Sequence, residues 1–278
     1  MPALRLIVHA DDFGLSEAID DGIVEAHDRG IVTSASIMAN GPAFPHAVAL
    51  ARARPALDVG LHLTLTELEP LTRGSRALVD SANHMPRHAV QFAARYLTGR
   101  IPLVEVRREL EAQIRRALDA GLCLSHLDGH QHVQVLPGVA RVVVELARAY
   151  GIRAVRCPAE RVRLFMLRDA ARLCRLAEQL AVGTAALLSP LRELKRVDAF
   201  VGFFHGGRLT EENLMALLGA LPSRGTVELM CHPGRDDPGS AFNAWGYRWS
   251  AETAALTSPS VRELLERRGI ELISYRDV

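Results

Sequence analysis

The sequence lacks several features that mark particular classes of protein. Its 278 residues carry 33 Lys and Arg against 32 Asp and Glu, and this balance leaves no basic surface of the kind that binds nucleic acid. No stretch approaches the roughly 18 consecutive apolar residues of a membrane span. No basic leader with an apolar region and a small-residue cleavage site opens the sequence. We therefore expect a cytoplasmic protein with no nucleic-acid partner.

Cysteine is also scarce, with four residues and no C-x-x-C spacing. Each cysteine lies among apolar neighbours, which is typical of buried free thiols and not of a disulfide framework or a thiolate metal site. No internal repeat and no low-complexity linker divides the chain. We expect residues 1–278 to form a single domain.

What the sequence does contain is a regular alternation of short apolar runs and helical patterns. The predicted strands cover residues 4–10, 32–38, 57–65, 123–127, 153–156, 199–204, 226–231 and 271–275. The predicted helices cover residues 16–29, 42–54, 103–120, 137–150, 161–189, 210–220 and 259–268. Strands that alternate with crossover helices indicate a parallel sheet. Eight of them in a chain of this length predict an α/β fold, an irregular (β/α) barrel of mainly parallel strands with helical and loop excursions.

Two stretches interrupt the alternation, at residues 66–102 and 161–198. The first has a short helical pattern at about 88–97, and the second is rich in Leu and Arg. Long excursions at strand ends are where substrate sites are often built. Residues 161–191 could also rest on a membrane surface, or they could cover the barrel or the partner in a homodimer. The apolar candidates for such a contact are Phe165, Met166, Leu167, Leu173, Leu176 and Leu180.

Two adjacent carboxylates, Asp11 and Asp12, follow the apolar run of the first predicted strand. A helix-capping role is the ordinary alternative, because Ser16 begins a predicted helix soon afterwards. In the third predicted strand, His62 and Thr64 share one face and the leucines share the other, because side chains alternate along a strand. His62 should therefore point into the barrel.

A second group of imidazoles lies at residues 126–132, His-Leu-Asp-Gly-His-Gln-His. His126 and Asp128 share a face if the strand continues to that point, and Gly129 then releases His130 and His132 into a loop. Three imidazoles and a carboxylate this close together indicate a functional cluster, because burying them without a task is costly. Exposed loop histidines are the alternative.

His232 ends the predicted strand 226–231 and is followed at once by Pro-Gly. An imidazole at this place could protonate a leaving amine as a general acid, although a core histidine is also compatible with the pattern. His205, after the strand 199–204, carries a similar but weaker signal.

Two carboxylates and two imidazoles (Asp11, Asp12, His62 and His126) therefore lie at the ends of three predicted strands. Such a set can hold one divalent metal and leave a base beside it, which predicts metal-assisted hydrolysis. Mixed nitrogen and oxygen ligands favour Zn or Mg and leave Mn, Co and Ni open. Two other classes also stay open: a non-haem Fe(II) oxygenase, which uses two histidines and one carboxylate, and a non-catalytic sugar- or metal-binding barrel.

Four linked motifs resemble those of the YdjC-like carbohydrate deacetylases. They are Ala10-Asp11-Asp12-Phe13-Gly14, Gly60-Leu61-His62-Leu63-Thr64-Leu65, His126-Leu127-Asp128-Gly129-His130-Gln131-His132 and Met230-Cys231-His232-Pro233-Gly234. Their order and spacing agree with the family, and the similarity extends from the first strand to the tail. Within the family the chain looks closest to the deacetylases associated with hopanoid biosynthesis, a finer likeness that rests on residues 203–207 and on the excursion 161–198.

The resemblance implies hydrolytic removal of acetyl from an N-acetylated sugar or glycolipid. It implies N-acetylglucosaminyl hopanoid as the substrate, with soluble chitooligosaccharides as the alternative. It also implies a divalent metal held by Asp12, His62 and His126, with Asp11 as base and His232 as acid. Four further residues are expected to touch the sugar or to support the ligands: Asp128, His130, His132 and His205.

Overall fold

The computed structural model describes residues 4–163, 166 and 173–278. Within these residues the strands are β1 (Leu4–Phe13), β2 (Ser34–Ile37), β3 (Asp58–Leu63), β4 (His126–Gly129), β5 (Ala154–Val155), β6 (Ala199–Val201), β7 (Gly225–Cys231) and β8 (Glu271–Leu272). The helices are α1 (Glu17–Asp28), α2 (Phe44–Arg52), α3 (Ala89–Leu97), α4 (Leu103–Asp119), α5 (Val139–Ala149), α6 (Leu173–Leu188), α7 (Glu211–Gly219), α8 (Trp249–Leu256) and α9 (Pro259–Arg267). None of these helices is long and apolar enough to cross a membrane.

The strands form one parallel sheet in the order β5-β4-β3-β2-β1-β7-β6, and β8 pairs with the first half of β1. Isolated parallel bridges from Ala154 to Lys195 and from Glu160 to Phe200 lie across the gap between β5 and β6. The sheet therefore curls into a half-closed (β/α) barrel with an irregular seam, which confirms the predicted fold class. The carboxyl ends of all its strands meet at one face.

The alternation of side chains along β1 separates the two sides of the sheet. Leu6, Val8 and Ala10 belong to the large apolar core that packs between the sheet and the helices. Ile7 belongs instead to a small cluster inside the barrel, together with Tyr275. The lumen side of β1 thus continues from Ile7 into polar side chains, because every second residue shares a face.

Several predicted boundaries differ from the observed ones. The fourth strand starts and ends later than predicted, at residues 126–129 in place of 123–127. Within the described residues, the predicted helix 161–189 is represented by α6, Leu173–Leu188. Phe165 and Leu167, two of the apolar residues expected to contact a membrane or a partner, lie outside the described residues. Helix α8 was not predicted, because its sequence has almost no amphipathic pattern.

A candidate metal centre beside an acid–base pair

The two adjacent aspartates reach the lumen by different routes. Asp11 continues the inward-facing series of Ile7 and His9 along β1. Asp12 should point away from it, but its backbone φ of +68° breaks the strand geometry at this residue. Such a φ is uncommon for any residue except glycine and marks local strain. Both carboxylates are buried, and neither oxygen of Asp12 accepts a hydrogen bond of good geometry.

Two imidazoles converge on the Asp12 carboxylate. Nε2 of His62 lies 3.5 Å from Oδ1 of Asp12, and Nδ1 of His130 lies 3.2 Å from the same oxygen. Two ligands that each lie about 2.1 Å from one cation are about 3.0–3.4 Å apart, so these separations match shared ligation. A buried carboxylate without hydrogen-bond partners and two nitrogen donors also form a set that divalent metals accept. Asp12, His62 and His130 therefore fit a metal ion, and their candidate ligand atoms all lie within 4.8 Å of one another.

His126, which the sequence suggested as the third ligand, lies elsewhere. In the register of the sheet, His62 pairs with Asp128. His126 comes two residues before Asp128 on the same strand and pairs with Ala154 of β5. A residue at the start of a strand is far from the carboxyl-end face, and this places His126 deeper in the barrel than the metal centre. Its ring stacks on Tyr275 at 3.8 Å between centroids.

The difference arises from the shifted strand. A strand ending at residue 127 would put His126 at the carboxyl edge, whereas the observed β4 continues to Gly129 and puts His130 there. Asp128, expected to support the ligands or to touch the sugar, faces the lumen and accepts a hydrogen bond from Nδ1 of His62 at 3.0 Å. Burial lowers the pKa of His62, but Asp128 and the two aspartates of β1 outweigh it, so the net shift is upward.

His130 is held on its other side by a carboxylate that the sequence did not indicate. Its Nε2 lies 2.7 Å from Oε2 of Glu67. Burial lowers the pKa of His130, but its contacts with Asp12 and Glu67 raise it to about 10. In the metal-free protein the ring is therefore protonated, and a metal must displace that proton to bind.

Arg156, wholly buried, organises the carboxylates on the lumen side. Its Nη1 and Nη2 donate to the two oxygens of Asp11 at 2.7 and 2.6 Å, and Nη1 also lies 3.0 Å from Asp128. Burial raises the pKa of Asp11, but the guanidinium outweighs it and holds the pKa well below its usual range. Asp11 is thus ionised and fixed in orientation.

The support of Arg156 extends to β7, the neighbour of β1 in the sheet. Its Nε donates to Oε1 of Glu228 at 2.7 Å, and the hydroxyl of Tyr275 donates to Oε2 of Glu228 at 2.5 Å. All three side chains are buried. A continuous series of hydrogen bonds therefore connects Tyr275 to the Asp11 carboxylate.

His232 lies on the other side of Asp11, with Nε2 3.9 Å from Oδ2 of that carboxylate. Its Nδ1 is buried and makes no hydrogen bond, and its backbone N–H donates to Glu252 at 2.6 Å. Burial is the main cause of a lowered pKa at His232, despite the nearby aspartates. The ring is therefore neutral near pH 7 and available to accept a proton.

A cavity of about 330 Å³ lies beside these groups. Its lining residues are Cys174, Arg175, Glu178, Phe204, Gly206, Arg208, Trp245 and Tyr247. Trp245 lies 5.2 Å from the ring of His130, and Tyr247 lies edge-on to His232 at 4.8 Å. The aromatic wall of the cavity thus touches both the candidate metal ligand and the candidate acid.

The remaining predicted residues lie in the walls. His132 is buried and stacks on Phe203 at 5.1 Å, and burial holds its pKa well below the usual value. His205 is buried after β6, edge-on to Phe204. The structure thus brings Asp11, Asp12, His62 and His232 together and places His130 where His126 was expected. His132 and His205 lie in the surrounding walls.

Arg156, Glu228 and Glu67 were not among the predicted residues. The sequence did contain a sign of Glu228. It lies in the mostly apolar predicted strand 226–231, and its side chain shares a face with that of His232 because the two residues are four apart. Arg156 is the last residue of a predicted strand of only four residues, which is too short to show which side chains face inward. Glu67 lies in an excursion with no periodicity.

Comparison with known proteins identifies the family of the chain. The sequence profile of the family described as "YdjC-like protein" matches residues 5–267. A carbohydrate deacetylase of Geobacillus stearothermophilus is 35% identical over 272 residues, covering 98% of this chain and 96% of the relative. A chitooligosaccharide deacetylase of Klebsiella pneumoniae is 35% identical over 276 residues, covering 98% of each chain.

Among solved structures, a putative cellobiose-phosphate cleavage protein of Enterococcus faecalis has a TM-score of 0.78 and 28% identity. The match covers 100% of this chain and 99% of the other. The fold and the site define a (β/α)-barrel protein with a polar centre at the carboxyl ends of its strands. The chain belongs to the YdjC-like family, whose curated relatives include these carbohydrate deacetylases.

Proposed function

We propose that the protein hydrolyses the N-acetyl amide of an amino sugar, with a divalent cation held by Asp12, His62 and His130. The observation that carries the proposal is the unpartnered, buried Asp12 carboxylate that meets two imidazole nitrogens beside the pair Asp11 and His232. The family relatives named as carbohydrate deacetylases support the same chemistry.

A cation bound at this site would polarise the acetyl carbonyl and lower the pKa of water toward about 7. Asp11 is held ionised by Arg156 and accepts the proton of the attacking water. His232 is neutral, and its Nε2 lies 3.9 Å from Oδ2 of Asp11. The proton passes from the carboxylate to the imidazole once the two groups close to hydrogen-bond distance in the substrate complex. His232 then donates it to the departing amine, and the products are acetate and the free amino sugar.

The cavity next to the pair is the proposed place for the sugar ring. Trp245 and Tyr247 present aromatic surface toward it, and they connect it to His130 and His232. An amphipathic ring such as a pyranose suits a wall that combines aromatic faces with a few polar groups.

We further propose that the sugar is carried by a hopanoid, so that the protein works as a cytoplasmic enzyme at the inner face of a membrane. Helix α6 lines the cavity through Cys174, Arg175 and Glu178. The same helix exposes about half of each of Leu173, Leu180 and Leu187 to solvent. An apolar face beside the substrate cavity suits a glycolipid approached from a lipid surface. Soluble chitooligosaccharides are the alternative substrate.

Acetate release measured on protein of known metal content tests both the proposed deacetylation and the proposed lipid substrate. N-acetylglucosaminyl hopanoid in detergent and N,N′-diacetylchitobiose are compared under anaerobic conditions, with and without prior chelation. Acetate release that needs metal but not oxygen supports the hydrolase and excludes an oxygenase. Preference for chitobiose would refute the lipid substrate alone, whereas no acetate from either, despite bound metal and sugar, would favour a binding protein.

A further inference from the structure

Glu67 occupies an unusual position at the start of the excursion 66–102. Its backbone has a φ of +67°, a left-handed conformation that non-glycine residues rarely adopt. Its N–H donates to the carbonyl of Pro86 at 3.0 Å, so the returning part of the excursion fixes this conformation. Strained backbone that the surrounding structure holds in place is frequent where a side chain must be aimed.

The side chain is aimed at one nitrogen of His130. A neutral imidazole carries its hydrogen on only one ring nitrogen, and the other nitrogen offers a lone pair. Because Oε2 of Glu67 accepts from Nε2 at 2.7 Å, the one hydrogen of the neutral, metal-binding ring belongs on Nε2, and the lone pair of Nδ1 is then free for a cation bound beside Asp12. A carboxylate in this position also makes the imidazole a stronger donor to a metal.

His62 shows the same arrangement with the ring nitrogens exchanged. Asp128 accepts from its Nδ1 at 3.0 Å, and its Nε2 faces Asp12. Each imidazole of the centre therefore has one carboxylate behind it and Asp12 in front. The carboxylate behind His62 comes from a strand of the sheet, whereas the carboxylate behind His130 comes from the excursion.

A second contact holds the turn that carries His130. The side chain of Gln131 accepts from the N–H of Ala89 at 2.6 Å and donates to the carbonyl of Arg87 at 3.1 Å. Gln131 has a positive φ as well, of +49°. The excursion thus contacts the turn at two successive residues. Glu67, at the start of the excursion, contacts His130, and the backbone of residues 87–89, in its returning part, contacts Gln131.

We propose that Glu67 is a positioning residue of the metal centre, which selects the tautomer and orientation of His130 that expose Nδ1 to the cation. The inference rests on the proposed metal site. It assigns to the excursion 66–102 a share in building that site, through a side chain that contacts His130 and not the cation.

The test is the affinity of the purified, metal-stripped protein for Zn²⁺ alone, measured by competition with a chromophoric chelator. Glu67→Ala should bind Zn²⁺ about 10–100-fold more weakly than the unchanged protein, the range typical of lost carboxylate–histidine support. Glu67→Gln should recover most of the affinity, because its amide oxygen can still accept from Nε2. Glu69→Ala is the matched control: that carboxylate lies two residues along and contacts Asn83 at 3.2 Å, and its removal should leave Zn²⁺ affinity unchanged.

The outcomes separate this inference from the proposed function. Failure of the unchanged protein to bind Zn²⁺ would refute the metal site, and the inference with it. Tight binding by the unchanged protein and by Glu67→Ala alike would overturn the role of Glu67 and leave the metal site standing. A Glu67→Gln protein as weak as Glu67→Ala, with an unchanged melting temperature, would show that the charge matters and not the orientation, which also overturns the inference.

Discussion

Replacement of Arg156 by Met should destabilise the protein severely. The guanidinium is fully buried and donates to Asp11 and Glu228, with Asp128 3.0 Å from Nη1. Its removal would leave the three buried carboxylates without the guanidinium that lies between them. Breaking a buried ion pair by removing one partner costs about 3–5 kcal/mol, and we expect a loss of unfolding free energy of at least that size.

The assay is urea denaturation of metal-free protein at pH 7, with acetate release measured in parallel on metal-loaded protein. Arg148→Met is the matched control, because Arg148 pairs with Glu193 at 3.0 Å on the surface, where such a pair contributes about 0–1 kcal/mol. Arg156→Lys keeps the charge but not the fork of donors, and its loss should lie between the two. If Arg156→Met were no less stable than Arg148→Met, the buried network would not hold the site together as argued.

Three further predictions concern the site itself. His130→Ala should lose bound metal and acetate release together, whereas His126→Ala should keep its metal as measured by elemental analysis; the reverse result would restore His126 as the ligand. Asp11→Asn should retain metal and lose at least about 100-fold in kcat, because general base catalysis contributes factors of this size, and near-normal acetate release would refute the base. Burial raises the pKa of Glu252 from 4.5 to about 8, so the folded protein binds a proton that the unfolded chain releases between these values. The stabilisation from this proton is complete below about pH 4.5 and is lost as the pH rises through 8. Relative to Glu252→Gln, the unfolding free energy should fall by up to about 1.4 kcal/mol per pH unit within that window, and parallel pH profiles of the two proteins would contradict the shift.

The sequence was sufficient for the fold class because hydrophobic periodicity repeats in every β/α unit. It also placed Asp12 and His62 near the ends of strands, since the apolar pattern of each strand is long enough to define a face. It did not place His130 at the carboxyl edge, because the end of β4 depends on pairing with β3, a contact between distant parts of the chain that local pattern does not contain. A strand that ends two residues later than predicted was enough to change which imidazole reaches the carboxyl edge.

Other residues of the site could not be predicted from the sequence for a different physical reason. Arg156 acts through three carboxylates that come from three separate strands, and only the closed sheet brings them to one point. Glu67 depends on a strained backbone conformation held by Pro86, for which the sequence offers no periodic signal. The excursion at residues 161–198 has few polar residues that suggest a site, so the sequence left open whether it contacts a membrane, a partner or the barrel.

The hydrogen bonds from Tyr275 through Glu228 and Arg156 to Asp11 have a consequence for how the protein fails when heated. Tyr275 belongs to a single turn of 3-10 helix, Tyr275–Asp277, which follows the two-residue strand β8. Short terminal elements of this kind open before the body of a sheet does. Acetate release should therefore decline at temperatures where circular dichroism still reports an intact barrel. Fraying of this one turn removes Tyr275 from Glu228, and with it part of the support that reaches Asp11 through Arg156.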